Sequence, residues 1–338
     1  MKELTVAVVR EEVADDAAAD ALDTVEMARA VEESLERSGW STVRILLGLD
    51  ARGFSEKLAG AKPDLAFNLV ESFCGQASLA CVAPALCRKA NVPFTGSDEG
   101  VLAAAADKAM CRRMMEAAAI PAPEGTSLAE LRRGLYPGPG TYIIKSRFED
   151  ASLGLDGDCV VEAGDAPALL RAMESLAPRM AGDCVAERFV PGREFNLALL
   201  AGDDGVRALP LAEMVFDPDM PGPAILGYAA KWYEDSADFA ASTRSFDLHD
   251  ESGLTARMTR IGLRCWEVFG LAGYARIDFR VSMSGQVFVI DINPNPCIAP
   301  DSGFVAAARQ AGLDHGGVVR AIVLDALRGS GRRKAHHA

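Results

Sequence analysis

The sequence predicts an α/β chain: a doubly wound parallel sheet over residues 1–97, followed by α+β units built on antiparallel strands. Three observations lead there. Apolar runs at 4–9, 43–47, 64–70 and 92–95 alternate with helical stretches, as parallel strands joined by crossover helices do. Further strand patterns at 184–189, 193–201 and 209–216 follow one another closely, as antiparallel ladders allow. Residues 274–293, YARIDFRVSMSGQVFVIDIN, read as two alternating strands joined by a tight turn.

In chain order, LTVAVV at 4–9 is a buried first strand, and the acidic, Ala-rich segment after Glu12 is a loop or weak helix. A helix starts at Asp23-Thr24, with Val25, Ala28, Val31 and Leu35 on one face and Gly39 as its stop. Strands at 43–47 and 64–70 follow, then an Ala/Cys-rich helix and a fourth strand opening at Val92. This unit lacks GxGxxG, so its architecture alone implies no dinucleotide. Ser97-Asp98 caps one long helix that ends before Pro121 and Pro123. A strand at 141–145 leads into a polar, glycine-containing loop at 146–157, and a helix at 167–177 follows. After the strands comes a Pro-rich loop at 217–223, an amphipathic helix at 252–269, the hairpin, an irregular stretch at 293–301, and helices at 304–312 and 315–327. At 338 residues the chain suits two or three domains. The expected boundaries are 1–97, 98–188 and 189–328, with a basic tail at 329–338.

The hairpin carries the chemistry. With Ser284-Gly285 as its turn, Ile277, Phe279 and Val281 share a core face with Phe288, Ile290 and Ile292. On the other face Asp278 stands across from Asp291, and Arg276 across from Asn293. Carboxylates facing each other on a ladder repel by roughly 0.2–1 kcal/mol, and by more when desolvated. Two carboxylates and an amide oxygen form a hard ligand set suited to Mg²⁺ or Mn²⁺, whose remaining positions go to water and phosphates. The alternative at this stage is a solvated hairpin in which Arg276 neutralises both acids.

Bulk properties exclude several classes. A net charge of −13 argues against a nucleic-acid or anionic-membrane partner, and no apolar run reaches a membrane span. Eight scattered cysteines without a CxxC pair, and an N-terminus without a signal-peptide core, point to a cytoplasmic protein with reduced thiols. Four histidines without a ligand or triad pattern argue against a zinc enzyme or a His-dependent hydrolase. No GxxxxGK[ST] is present, so a nucleotide would not bind through a P-loop.

The order of motifs resembles the ATP-grasp superfamily, and within it the D-alanine–D-alanine ligases. The motifs are TGS at 95–97 with ADK at 106–108, YIIKSRFEDASLG at 142–154, VAERFVPGREF at 185–195, YAAKWYEDSADF at 228–239, ARIDF with DINPNP, and AARQAGLDH at 307–315. The resemblance implies an N-terminal Rossmann-like domain, a central lid domain and a C-terminal domain with the metal and substrate site. It implies that Lys108 and Lys145 contact ATP phosphates, and that Glu187, Glu194 and the Val190 backbone hold adenine and ribose. Asp278, Asp291 and Asn293 would bind two Mg²⁺ ions, with Mn²⁺ as a substitute. Arg276 would stabilise the transferring phosphoryl group and the tetrahedral intermediate, Lys231 and Ser302 would bind a substrate carboxylate, and Ser152 would lie in the lid loop. Read without the resemblance, Lys108 is a helix-surface lysine, Glu187 and Glu194 are exposed strand residues, and Ser302 is a helix N-cap.

The implied reaction is a ligation of small amino-acid or carboxylate substrates in two steps. A carboxylate attacks the γ-phosphorus of ATP to give an acyl phosphate, and an amine then displaces phosphate. The resemblance also implies a homodimer. Departures gather where substrate is chosen: Asp291 replaces the family's glutamate, Cys297 the glycine after NxxP, Ala151 a lid serine and Trp232 a tyrosine. The amine-binding carboxylate is not assigned, with Glu11, Glu12 and Glu71 as candidates. These changes leave open ligation of another amino acid in specialised metabolism, or a catalytically silent nucleotide-binding regulator.

Overall fold

In a computed structural model of the chain, residues 3–14, 17, 19–149, 152–220, 222–228, 233, 236–248 and 253–336 are described. The first unit runs β1 (Thr5–Glu11), α1 (Ala19–Arg37), β2 (Ser41–Leu47), α2 (Ala51–Ala61), β3 (Leu65–Asn68) and α3 (Val82–Lys89). Its sheet is parallel in the order β2-β1-β3. Alternate side chains of β1 go to opposite faces: Val6 and Val8 pack on α1, Ala7 and Val9 towards α2 and α3. Both faces are covered, as a doubly wound sheet requires. The expected fourth strand shrinks to a single bridge, Ala66 to Phe94, because Pro93 lacks a ladder donor. Helix α1 starts at Ala19, ahead of the expected Asp23, so Asp23 lies inside the helix and does not cap it.

The long helix expected from Asp98 is two helices, α4 (Glu99–Ala106) and α5 (Lys108–Ala117), broken at Asp107. Asp107 leaves helical geometry at ψ 96° so that its carboxylate can accept from the Ala109 and Met110 N–H groups. The same carboxylate takes a bidentate pair from Arg147, at 2.9 and 2.7 Å. Burial raises the Asp107 pKa, but the Arg147 and backbone hydrogen bonds outweigh it and hold the group below its ordinary value. Nothing in an Ala-rich run announces this break, yet it sets where Lys108 points.

A second, antiparallel sheet has the order β4-β7-β5-β6. Its elements are β4 (Gly125–Ser127), α6 (Leu128–Arg132), β5 (Gly140–Ser146), β6 (Val160–Ala163), α7 (Ala166–Leu176) and β7 (Cys184–Arg188). The third sheet runs β11-β10-β8-β12-β13, with β9 paired to β8. It is built from β8 (Gly192–Gly202), β9 (Gly205–Ala208), β10 (Ala212–Phe216), α8 (Ala237–Ala240), β11 (Ser242–Ser245), α9 (Leu254–Phe269), β12 (Tyr274–Ser282) and β13 (Val287–Asn293). Helix α9 lays Met258, Cys265 and Phe269 on this sheet. Gly262 in the same helix has no room for a Cβ, which would stand 2.5 Å from Leu197.

Two closing helices, α10 (Gly303–Gln310) and α11 (His315–His336), complete the chain, and α11 continues through the basic residues beyond 327. One core joins the first and third sheets through Val6, Val8, α1, Tyr274, Phe304 and Val319. The TGS segment is part of that seam. Thr95 Oγ1 accepts from the Asn68 N–H at 2.9 Å, and Ser97 Oγ accepts from the Ala272 N–H at 3.1 Å. Gly273 (φ +71°) meets Gly96 so closely that a Cβ there would lie 3.0 Å from Gly96 backbone. All eight cysteines are free thiols, and no described helix is long and apolar enough to cross a membrane.

Candidate active site

The floor of the site is the polar face of β12 between β8 and β13. Asp278 pairs with Asp291, and Arg276 with Asn293, as the alternation predicts, but by another route. The turn is three residues long, Met283 to Gly285, closed by Gly285 N–H to Ser282 O and Ser282 N–H to Gln286 O, with Gly285 at φ +80°. That lengthening shifts the ladder by one residue from Val281–Val287 through Phe279–Val289, and a bulge at Ile290 shifts it back before Asp278. Hence Val287 and Val289, where Phe288 and Ile290 were expected, share the core face with Ile277, Phe279, Val281 and Ile292. Ile290 faces the cavity instead.

Asp278 is heavily engaged. Arg276 Nε and Nη2 reach its two oxygens at 2.8 and 2.9 Å, and Asn196 Nδ2 donates to Oδ1 at 2.8 Å. Each carboxylate oxygen carries two acceptor sites, so these bonds leave capacity for a cation. The donor set fits Mg²⁺: two carboxylates held opposite one another by the ladder, an amide oxygen two residues along, and no nitrogen or sulfur ligand among them. A separate grouping of Asp156, Asp158 and Cys159 has metal-like spacing. Arg179 contacts all three, which makes it an ion-pair cluster.

The facing wall comes from the second sheet. Lys145, at the end of apolar β5, is paired with Glu187 of β7 at 2.9 Å, and Glu187 is only 7% exposed. Lys108 takes the first position of α5 and donates from Nζ to the Glu149 carbonyl at 2.9 Å. Arg147 thus anchors the capping aspartate while its own carbonyl accepts the Lys108 N–H. Ser152 Oγ donates to the Leu226 carbonyl at 2.9 Å, tying the 146–157 loop to the segment after β10.

At one end lie Val190 and Glu194, the latter also 7% exposed. The exposed-strand reading of Glu187 and Glu194 is therefore wrong. Glu194 pairs with Arg280, directly opposite on β12, at 3.0 Å, and Arg280 Nε donates to the Val190 carbonyl at 3.1 Å. Arg280 was missed by sequence reasoning because an arginine on a strand reads as an outward polar residue.

At the other end Ser302 caps α10, accepting from the Val305 N–H at 3.3 Å, and also lines the cavity. Two further residues absent from the sequence reading stand here. Arg244, on the short edge strand β11, lies across Gly303 and near Arg276 and Asp301. Burial lowers its pKa, and Arg276 lowers it further. Asp23 of α1 accepts from the Cys297 thiol at 3.3 Å. Burial raises the Asp23 pKa, Asp301 and Glu26 add to the shift, and the thiol opposes it. Burial, then Glu71 and Asp23, hold the Cys297 thiol well above its usual range.

Of the three carboxylates expected at the amine end, Glu71 lines the cavity. Glu11 instead accepts from Ser72 and the Gly75 N–H, and Glu12 folds back against Gly48. The expected phosphate, nucleotide and metal residues, with Arg276, Ser152 and Ser302, border one cavity of about 740 Å³, together with Asp23 and Arg244. Lys231, with Ala151 and Trp232, lies outside the described residues.

Residues 143–324 match a family model described as D-ala D-ala ligase C-terminus. An uncharacterized protein, y4sG, of Sinorhizobium fredii is 29% identical over 77% of this chain and 73% of its own length. A D-alanine–D-alanine ligase of Ectopseudomonas mendocina is 27% identical over 89% of both chains. Among solved structures, a D-alanine–D-alanine ligase from Bacillus anthracis complexed with ATP superposes with a TM-score of 0.71 at 17% identity, covering 98% of this chain and 99% of that one. That likeness shows the fold.

Proposed function

This chain belongs to the D-ala D-ala ligase family, and we propose from that premise that it is an ATP-dependent carboxylate–amine ligase joining two small amino acids. The observation that carries the reading is the in-register pair of Asp278 and Asp291 at the floor of the cavity, with Asn293 beside them and Arg276 locked on Asp278.

Asp278, Asp291 and Asn293 would hold Mg²⁺, two ions in our reading, which when bound neutralises triphosphate charge. The chain's own residues do the rest by position and charge. Arg276 presents a planar donor fork from a strand whose neighbours on both sides fix its direction. Lys145 is held by Glu187, and Lys108 by the broken helix and Glu149, so both cations are placed before ATP arrives. The loop containing Ser152 is tied across to Leu226, where it can shield an acyl phosphate from water. Lys231 and Ser302 are proposed for the acceptor carboxylate, and Arg244 extends that cationic end. Asp23 and Glu71 are the carboxylates suited to a substrate ammonium.

D-alanyl-D-alanine synthesis is the first activity to test. A second reading, ligation of a different amino acid, is favoured by Cys297, whose side chain fills space beside Asp23. Phosphate release with ATP and Mg²⁺ against D- and L-amino acids, singly and in pairs, decides between them. Release that requires an amino-acid pair supports the ligase. Nucleotide binding with no release across the panel would leave a silent binding protein.

A further inference from the structure

The cavity wall formed by β11 and the start of α10 does not suit an alanine side chain. It consists of Ser242, Thr243, Arg244, Asp301, Ser302 and Gly303, none of them an aliphatic or aromatic residue that would pack on a methyl group. We propose that Arg244 is a specificity-determining residue that binds an acidic group on the side chain of the acceptor, the amino acid whose amine attacks. The acceptor is then an amino acid with two carboxylates; this rests on the ligase reading above.

Gly303 makes room for Arg244. A Cβ on Gly303 would stand 3.2 Å from Nη2 and 3.4 Å from both Nε and the guanidinium carbon. Such nearly equal distances mean that the guanidinium lies face-on across the glycine. Contact holds it there, because among the described residues Arg244 has no hydrogen-bond or ion-pair partner. The five N–H donors of a guanidinium lie in its plane, so a group packed by its face keeps them all for something else.

The surroundings disfavour this charge. Arg244 opens on the cavity, yet the walls desolvate it and Arg276 adds a like charge, both of which lower its pKa. The first turn of α10 adds the positive end of a helix dipole. Asp301 alone among the groups acting on it favours the charge, and it forms no ion pair with Arg244. A cation kept here with its donors unused calls for an anion that arrives with a substrate. The acceptor's own α-carboxylate goes to Ser302 and Lys231 in the reading above. Ser302 Oγ accepts from the Val305 N–H and keeps its proton to donate. Ser302 and the glycine beneath the guanidinium are successive residues, so a ligand that meets both carries two acidic groups a few atoms apart. Aspartate and glutamate do; a hydroxyl side chain would accept from the fork but leave its charge uncompensated.

The test measures phosphate release and the mass of the dipeptide formed by the full chain with ATP and Mg²⁺. Acceptors are compared as isosteric pairs, aspartate with asparagine and glutamate with glutamine, in both chiralities. In the wild type kcat/KM for one acid should exceed that for its amide by about tenfold or more. Arg244→Met removes the charge and should bring that ratio to within about threefold of one, whereas Arg244→Lys should keep part of the preference. Gly303→Leu fills the space under the guanidinium without touching its charge, and should also collapse the ratio if Arg244→Met fails to fold. Wild-type release with neutral acceptors at rates equal to the acids overturns the proposal and leaves the ligase reading standing. So does an equal loss for acid and amide in Arg244→Met, which would place the arginine on the α-carboxylate. No release across the full panel of D- and L-amino acids overturns both.

Discussion

Replacing Arg276 by alanine should expose the conflict built into the floor of the site. The arginine makes two charge-assisted bonds to Asp278, which stands opposite Asp291. At a cross-strand spacing of roughly 5 Å and an effective dielectric of about 20, two unit charges repel by about 3 kcal/mol. The Arg276 and Asp278 side chains keep 25% and 12% exposure, and solvent screening reduces the net loss to about 2 kcal/mol. For the unit concerned this corresponds to a fall in Tm of roughly 4–8 °C in EDTA. Millimolar Mg²⁺ should recover more of that loss in Arg276→Ala than it adds to the wild type, because the ion then has two carboxylates to neutralise. Adding Asp278→Asn should restore most of the stability without restoring turnover, which should fall by about 10²–10³-fold in either variant. Calorimetric melting with and without Mg²⁺ reads the first part, and phosphate release the second. An unchanged Tm in EDTA, a double variant less stable than Arg276→Ala, or wild-type turnover would each refute this reasoning.

Asp107→Ala removes a helix cap and a bidentate partner of Arg147, so it should destabilise by roughly 2–4 kcal/mol and raise the KM for ATP through Lys108, as melting and steady-state kinetics would show. Asp23→Asn should raise the KM of the amine substrate by about tenfold or more while leaving ATP affinity, read by calorimetry, unchanged. Cys297→Gly should improve kcat/KM for a bulkier amine by about 10-fold or more; a lower value for every amine tested would remove Cys297 from the pocket wall. Burial holds the His315 pKa below its ordinary 6.5, despite the bond to the Ile298 carbonyl. The unfolded chain therefore binds the proton first: the His315 contribution to stability is full above about pH 6.5 and is lost as pH falls towards the folded value. Unfolding midpoints between pH 8 and 5 should show that decline, and His315→Gln should flatten it.

The acidic register of the hairpin was legible because a period of two fixes faces regardless of small errors elsewhere. Two local errors, a turn one residue short and a missing bulge, offset each other at Asp278 and Asp291. They did not offset at Phe288 and Ile290, where the core face was misread. The residues that escaped share a physical reason: each is defined by what approaches it from a distant part of the chain. Asp23 sits in an Ala-rich helix and is given meaning by Cys297, 274 residues away. Arg280 alternates like any solvent-facing strand residue until Glu194 and the Val190 carbonyl are brought against it. Arg244 lies on a four-residue polar edge strand with no apolar period to reveal it. The helix break at Asp107 depends on Arg147, 40 positions later, and local propensity favours continuing the helix.

On the proposed reading, the acidic floor of Asp278 and Asp291 holds divalent cations for ATP. Calorimetric titration of ATP into the wild type and into Asp278→Asn/Asp291→Asn, each with Mg²⁺ and with EDTA, tests it most directly. Tight binding is expected only for the wild type with Mg²⁺. Equal affinity of the double variant, or wild-type binding indifferent to Mg²⁺, would contradict it.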